Sequence, residues 1–92
     1  MAAEAKIQAK ICRFLEKEGF IVTKIIVANR AGTHDIVACD PAGRYWSIEV
    51  KAPNGKESKL QAHKRKKLKQ NKAIVFTCYS FEEFTANYLS AV

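Results

Sequence analysis

Between Ala3 and Glu18, apolar side chains recur at Ile7, Ile11, Phe14 and Leu15. This is the three-and-four spacing of a helix with one buried stripe, and Gly19 stands where a helix C-cap belongs. Glu4 lies one turn ahead of Ile7 on that stripe, so its carboxylate falls at the rim of the core-facing side. The helix macrodipole accounts equally well for an acid near this terminus. Phe20 to Val27, rich in β-branched residues, predicts a first strand, and Ala28 to Thr33 breaks it with turn formers. His34 to Asp40 and Tyr45 to Ala52 predict the next two strands. Between them, Pro41-Ala42-Gly43 fits a three-residue hairpin loop, with proline opening a type I turn and glycine taking the left-handed position of a G1 bulge.

After a loop over Pro53 to Glu57, Ser58 fits an N-cap for a second helix running to Gln70. Leu60 and Leu68 are its expected core anchors, with Ala62 and His63 as helpers. Ala73 to Cys78 is a continuous apolar run, too short for a helix and suited to a central strand buried on both faces. Ser80 and Glu83 form a capping box, and Phe81, Phe84, Tyr88 and Leu89 mark an amphipathic last helix. The order is α-β-β-β-α-β-α. The second helix is long enough for a right-handed parallel crossover, which predicts an α/β fold: a mixed sheet flanked by helices.

The hairpin loop also fixes a register. With Asp40 opposite Arg44, the antiparallel ladder places Ala38 opposite Trp46, Ile36 opposite Ile48, and Asp35 opposite Glu49. Directly opposed residues have Cβ atoms roughly 4.5–5.5 Å apart, where like charges destabilise a sheet unless something neutralises them. A cation would do so. Lys51 shares a face with Glu49, whereas Ile48 and Val50 face the other way with Trp46.

A chain of 92 residues closes one hydrophobic core, so positions 1–92 form a single domain. Domains this small are often stabilised by a partner subunit, and a homodimer is expected. The formal charge of +7 points to a polyanionic partner, most often nucleic acid. Cys12, Cys39 and Cys78 are odd in number and widely spaced, each in an apolar run, which reads as reduced core thiols in an intracellular, cytoplasmic protein. No signal peptide or membrane-spanning run is visible, and no membrane partner is expected.

Charge changes the picture most in the second helix. Lys59, Lys64, Arg65, Lys66, Lys67 and Lys69 spread round it and repel one another, and a phosphate backbone would relieve that repulsion. A solubilising surface is the plainer alternative. Arg30, His34, Asn29 and Thr33, in and beside the loop leading to Asp35, either line a DNA groove or serve turn and packing needs.

Asp35 and Glu49 offer hard carboxylate oxygens with no cysteine or histidine cluster beside them, which suits Mg²⁺ or Mn²⁺ better than zinc. The backbone carbonyl of Val50 supplies a further ligand. Such an ion holds a scissile phosphate and lowers the pKa of an attacking water. Lys51 would orient that water, help deprotonate it, or balance charge on the developing phosphorane. An ordinary solvated ion pair on a hairpin is the bland alternative.

An acid, a hairpin, then Glu49-Val50-Lys51 resembles the PD-(D/E)XK nuclease superfamily. The likeness extends to its VRR-NUC branch through Glu4, Ile7 and Gln8, the Gly32-x-x-Asp35 step, the Ile48-Glu49-Val50-Lys51-Ala52-Pro53 run, then Gly55, Ser58 and Gln61, and an ending from Ala73 to Phe84. The resemblance implies a restriction-endonuclease-like core and a Mg²⁺ or Mn²⁺ dependent nuclease. Its site would contain Glu4, Asp35, Glu49 and Lys51, with Gln61 assisting and Glu4 a further metal ligand. Standalone domains of this kind resemble phage or bacterial homodimers acting on branched DNA, with two sites cutting opposed strands of a four-way (Holliday) junction. A flap or other branched-DNA nuclease, or a catalytically idle nucleic-acid binding module, is the alternative. His34 stands where the branch usually has proline, and Lys72 where it tends to have glycine.

Overall fold

The computed structural model describes residues 3–25, 33–51 and 59–92, with positions 3, 24, 25 and 33–35 described by backbone alone. The elements run α1 (Ala3–Lys17), β1 (Ile21–Ile25), β2 (Thr33–Cys39), β3 (Tyr45–Lys51), α2 (Lys59–Gln70), β4 (Ile74–Cys78) and α3 (Phe81–Ala91). This is the order the patterning predicts. The sheet is mixed, in the order β1-β2-β3-β4, with β1, β2 and β3 antiparallel and β4 parallel to β3. The expected N-cap Ser58 and the end of the expected first strand, Ile26 and Val27, lie outside the described residues.

α1 ends as its sequence suggests. The Phe20 N–H donates to the Leu15 carbonyl and the Gly19 N–H to the Glu16 carbonyl, the paired bonds of a Schellman motif, with Gly19 at φ +89°. A Cβ on Gly19 would come 3.3 Å from Cγ of Pro41, so this position both needs the left-handed conformation and abuts the hairpin loop. Ser80 caps α3, its hydroxyl accepting from the Glu83 N–H at 3.0 Å. The Glu83 carboxylate accepts from the Tyr79 N–H.

One face of the sheet carries the core. Ile36, Ala38, Trp46, Ile48, Val50 and Cys78 are buried there against Ile11 and Leu15 of α1 and Phe84 of α3. Aromatic edges meet faces across this layer, Phe20 on Trp46 with centroids 5.0 Å apart and Phe14 on Tyr88 at 4.9 Å. Burial raises the Cys78 thiol to about 12, with the Glu83 charge adding to it.

The other face is different, and the structure corrects several expectations. β4 is an edge strand, and four of its five residues are only half-buried. Its apolar run reflects burial by α3 on one side and partial cover by α2 on the other. α2 buries none of its residues. Leu60, expected as an anchor, is 66% exposed, and His63 is exposed as well; the helix touches the sheet chiefly along β4. Leu89 and Cys39 are also exposed rather than in the core. Cys39 alternates with buried Ala38 and so falls on the uncovered face.

Candidate active site

The hairpin between β2 and β3 sets the positions of Asp35, Glu49 and Val50. The Asp40 N–H donates to the Arg44 carbonyl and the Gly43 N–H to the Asp40 carbonyl, and Gly43 sits at φ +88°. Asp40 is buried and ties the turn together. Its carboxylate accepts from the Ala42 and Arg44 N–H groups at 2.9 Å, from Nε of Arg44 at 2.6 Å and from the Trp46 indole at 2.8 Å. Burial alone would raise its pKa. The Arg44 N–H, the indole and the guanidinium outweigh that and hold it at about 2.

With the turn fixed, β2 and β3 pair Ala38 with Trp46, Ile36 with Ile48 and Asp35 with Glu49. The backbone thus sets Asp35 directly opposite Glu49, on the sheet face away from Trp46 and Ile48. Glu49 is half-buried. Lys51, two residues on, is 2% exposed, and its ammonium donates to Oε1 of Gln61 from α2 at 3.2 Å. Gln61 therefore joins β3 to the second helix at this end of the sheet. The Val50 side chain lies in the core, leaving its carbonyl as the only group it could offer an ion.

Glu4 is 6% exposed, deeper than a rim position, and Gln8, one turn along α1, is 7% exposed. No described residue forms a hydrogen bond or ion pair with the Glu4 carboxylate. Among the described residues no group of three or more His, Cys, Asp or Glu side chains gathers to hold a metal ion; Asp35, described by backbone alone, contributes its position and not its side chain. The donor chemistry of Glu4, Asp35 and Glu49, all carboxylate oxygen, fits a hard divalent cation.

Lys59, Lys64 and Lys67 are exposed on α2 and Arg65 is half-buried there. Arg30 lies outside the described residues, and His34 is placed only as the backbone partner of Val50. Sequence reasoning passed over Ser47 and Thr77. Ser47 precedes Glu49 by two on β3, and the parallel register sets Thr77 beside Glu49 on β4. Strand parity together with the crossover would have located both. Asp40 was also missed as a site-shaping residue, although an aspartate before Pro-x-Gly is a recognised Asx-turn signal.

Among the described residues, the four-stranded mixed sheet with three helices in this order matches the nuclease-like α/β fold of a VRR_NUC domain. The chain is similar to a solved structure described as a VRR_NUC domain, at 28% identity, over 89% of each chain and with a TM-score of 0.71. The VRR-NUC resemblance read from the sequence is thereby borne out. No family model and no curated protein matches it.

Proposed function

We propose that the chain is a Mg²⁺ or Mn²⁺ dependent endonuclease that hydrolyses phosphodiester bonds in branched DNA, resolving four-way junctions as a homodimer. The observation that carries this reading is the register of Asp35 directly opposite Glu49, with Lys51 beside them and bonded to Gln61, in a VRR-NUC-like fold. The coarser part, a nuclease domain, follows from the likeness; the substrate, the metal and the dimer are our inference.

Asp35 and Glu49, with the Val50 carbonyl and Glu4, would hold the cation, which supplies a Lewis acid for the phosphate and an acidified water. Opposed acids on adjacent strands repel, so the pair is built to accept positive charge. Lys51 places an ammonium in a water-poor setting, where one charge acts on a phosphorane oxygen far more strongly than in bulk water. Gln61 restrains that ammonium through its amide oxygen. α2 contributes cations that meet phosphates whatever the sequence, with Arg30 and His34 as further contacts. No helix among the described residues is long and apolar enough to cross a membrane. We place the protein inside the cell, where its DNA substrates are.

Labelled duplex, flap and four-way junction DNA incubated with Mg²⁺, Mn²⁺ or EDTA tests the reading. We expect metal-dependent cuts at the junction and none from Asp35→Ala. Binding without metal-dependent cleavage of any substrate would instead mark an idle nucleic-acid binding module. Sedimentation at micromolar concentration tests the dimer, which paired cutting of opposed strands requires.

A further inference from the structure

α2 and the uncovered face of the sheet do not close on each other. Between them runs a groove of about 390 Å³, floored by Ser47 and Glu49 of β3 and by Val75 and Thr77 of β4, with Leu60 and Leu68 of α2 as its apolar wall. Lys64 and Lys67 stand at its margin, exposed to solvent. Three properties meet here: an apolar slot, hydroxyl groups on its floor, and cations along its rim. Its floor is continuous with the opposed acids, because Glu49 belongs to both.

We propose that this groove is a nucleotide subsite, taking one unstacked nucleotide next to the cleaved bond. The base packs against Leu60, Leu68 and Val75, the hydroxyls of Ser47 and Thr77 meet its polar edge, and its phosphate meets Lys64 and Lys67. The proposal rests on reading the chain as a DNA nuclease. An unstacked nucleotide has the same distribution of properties as the groove: apolar ring faces, a hydrogen-bonding edge and one anionic end. A base held in a continuous duplex enters only after its pair and stacking are broken, whereas a base at a branch point has lost part of both. The subsite therefore supplies a physical reason for preferring branched DNA. It also explains why α2 leaves Leu60 exposed: the side chain is apolar wall for a ligand and not for the core.

The test places 2-aminopurine in turn at each position flanking the branch point of a four-way junction. Its fluorescence is read on saturation with wild-type protein in EDTA, so that nothing is cut. We expect a rise of about 3-fold or more at one position and none in continuous duplex. The rise should be lost in Ser47→Phe, which fills the groove, and reduced in Leu60→Ala, which removes wall from an already exposed site and leaves the fold intact. No rise at any position, or a rise unchanged in Leu60→Ala and in folded Ser47→Phe, overturns the subsite. Cleavage in Mg²⁺ with no rise removes the subsite and leaves the nuclease; a rise with no cleavage in any metal removes the nuclease and leaves a nucleotide-binding groove.

Discussion

The two faces of the sheet are built by different rules. On the face covered by α1 and α3, Ile36, Trp46, Ile48, Val50 and Cys78 are fully buried, and aromatic rings interlock over them. On the other, α2 buries nothing of its own, Ser47, Glu49, Val75 and Thr77 stay half-buried, and an open groove remains. Stability is concentrated on the first face. The second keeps acids opposed and cations clustered, arrangements that weaken a fold and suit a charged ligand. Activity and stability should therefore separate by face.

The largest expected effect is on activity alone. Glu49→Ala should lower the cleavage rate on the order of 10³-fold or more, because it removes a ligand placed where transition-state charge develops. Its thermal stability without metal should stay within about 1 kcal/mol of wild type, since a like-charge neighbour of Asp35 is lost with it. Cleavage rates and melting curves measured on the same preparation check both halves; a variant that is inactive because it is unfolded would break the contrast.

Trp46→Ala, on the covered face, should lower stability by about 3–5 kcal/mol in urea unfolding, through lost packing and a cavity that cannot collapse. It also takes one donor from the Asp40 carboxylate. Asp40→Ala should cost about 2–4 kcal/mol, because it orphans the buried indole and strips the turn of its carboxylate. Acid titration sharpens this. A carboxyl held at about 2 in the folded state adds stability that is complete above its unfolded value and lost as pH falls through about 2. Asp40→Asn should therefore flatten the acid-side decline of stability between about pH 4 and pH 2. An unchanged decline would assign the acid sensitivity to other carboxylates.

On the open face, Lys64→Ala combined with Lys67→Ala should weaken DNA binding and make its dependence on log salt concentration shallower by about 2, one unit for each phosphate contact removed. Fluorescence anisotropy across a salt series measures the slope. An unchanged slope would move the phosphate track to another surface of the protein, and would leave α2 as a solubilising helix.

The faces also differ in how far the sequence disclosed them. The register of Asp35 against Glu49 was legible because Pro41-Ala42-Gly43 permits few turn geometries, and a fixed turn dictates every pair behind it. Trp46, Ile48 and Val50 announced the covered face by alternation alone. β4 misled, because an apolar run reads alike in a central strand and in an edge strand covered on one side and half-covered on the other. Leu60 misled for a related reason: helical spacing places a side chain on a stripe, but how closely the helix approaches the sheet is a tertiary outcome. The depth of Glu4 and Lys51 was hidden too, since burial of charge depends on partners such as Gln61 that sequence separation does not reveal.

The smallest expected effect lies where each face's helix ends. α1 and α2 both close with paired bonds of the same type; in α2 the Ala73 N–H donates to the Leu68 carbonyl and the Lys72 N–H to the Lys69 carbonyl. The left-handed position is Gly19 in α1 and Lys72 in α2, at φ +89° and +69°. Glycine enters that region freely, whereas a residue with a Cβ meets its own carbonyl there at about 1–2 kcal/mol. Part of that is returned in the unfolded chain, where glycine has more freedom to lose. Lys72→Gly should thus stabilise by about 0.5–1 kcal/mol, read as a raised urea midpoint with an unchanged slope. Gly19→Ala should do the reverse and by more, because its Cβ also meets Pro41 at 3.3 Å. If Lys72→Gly proves neutral or destabilising, the lysine side chain is held by contacts that repay the backbone strain. If it stabilises but weakens DNA binding, the strain at the end of α2 is kept for the positive charge that Lys72 adds to the open face.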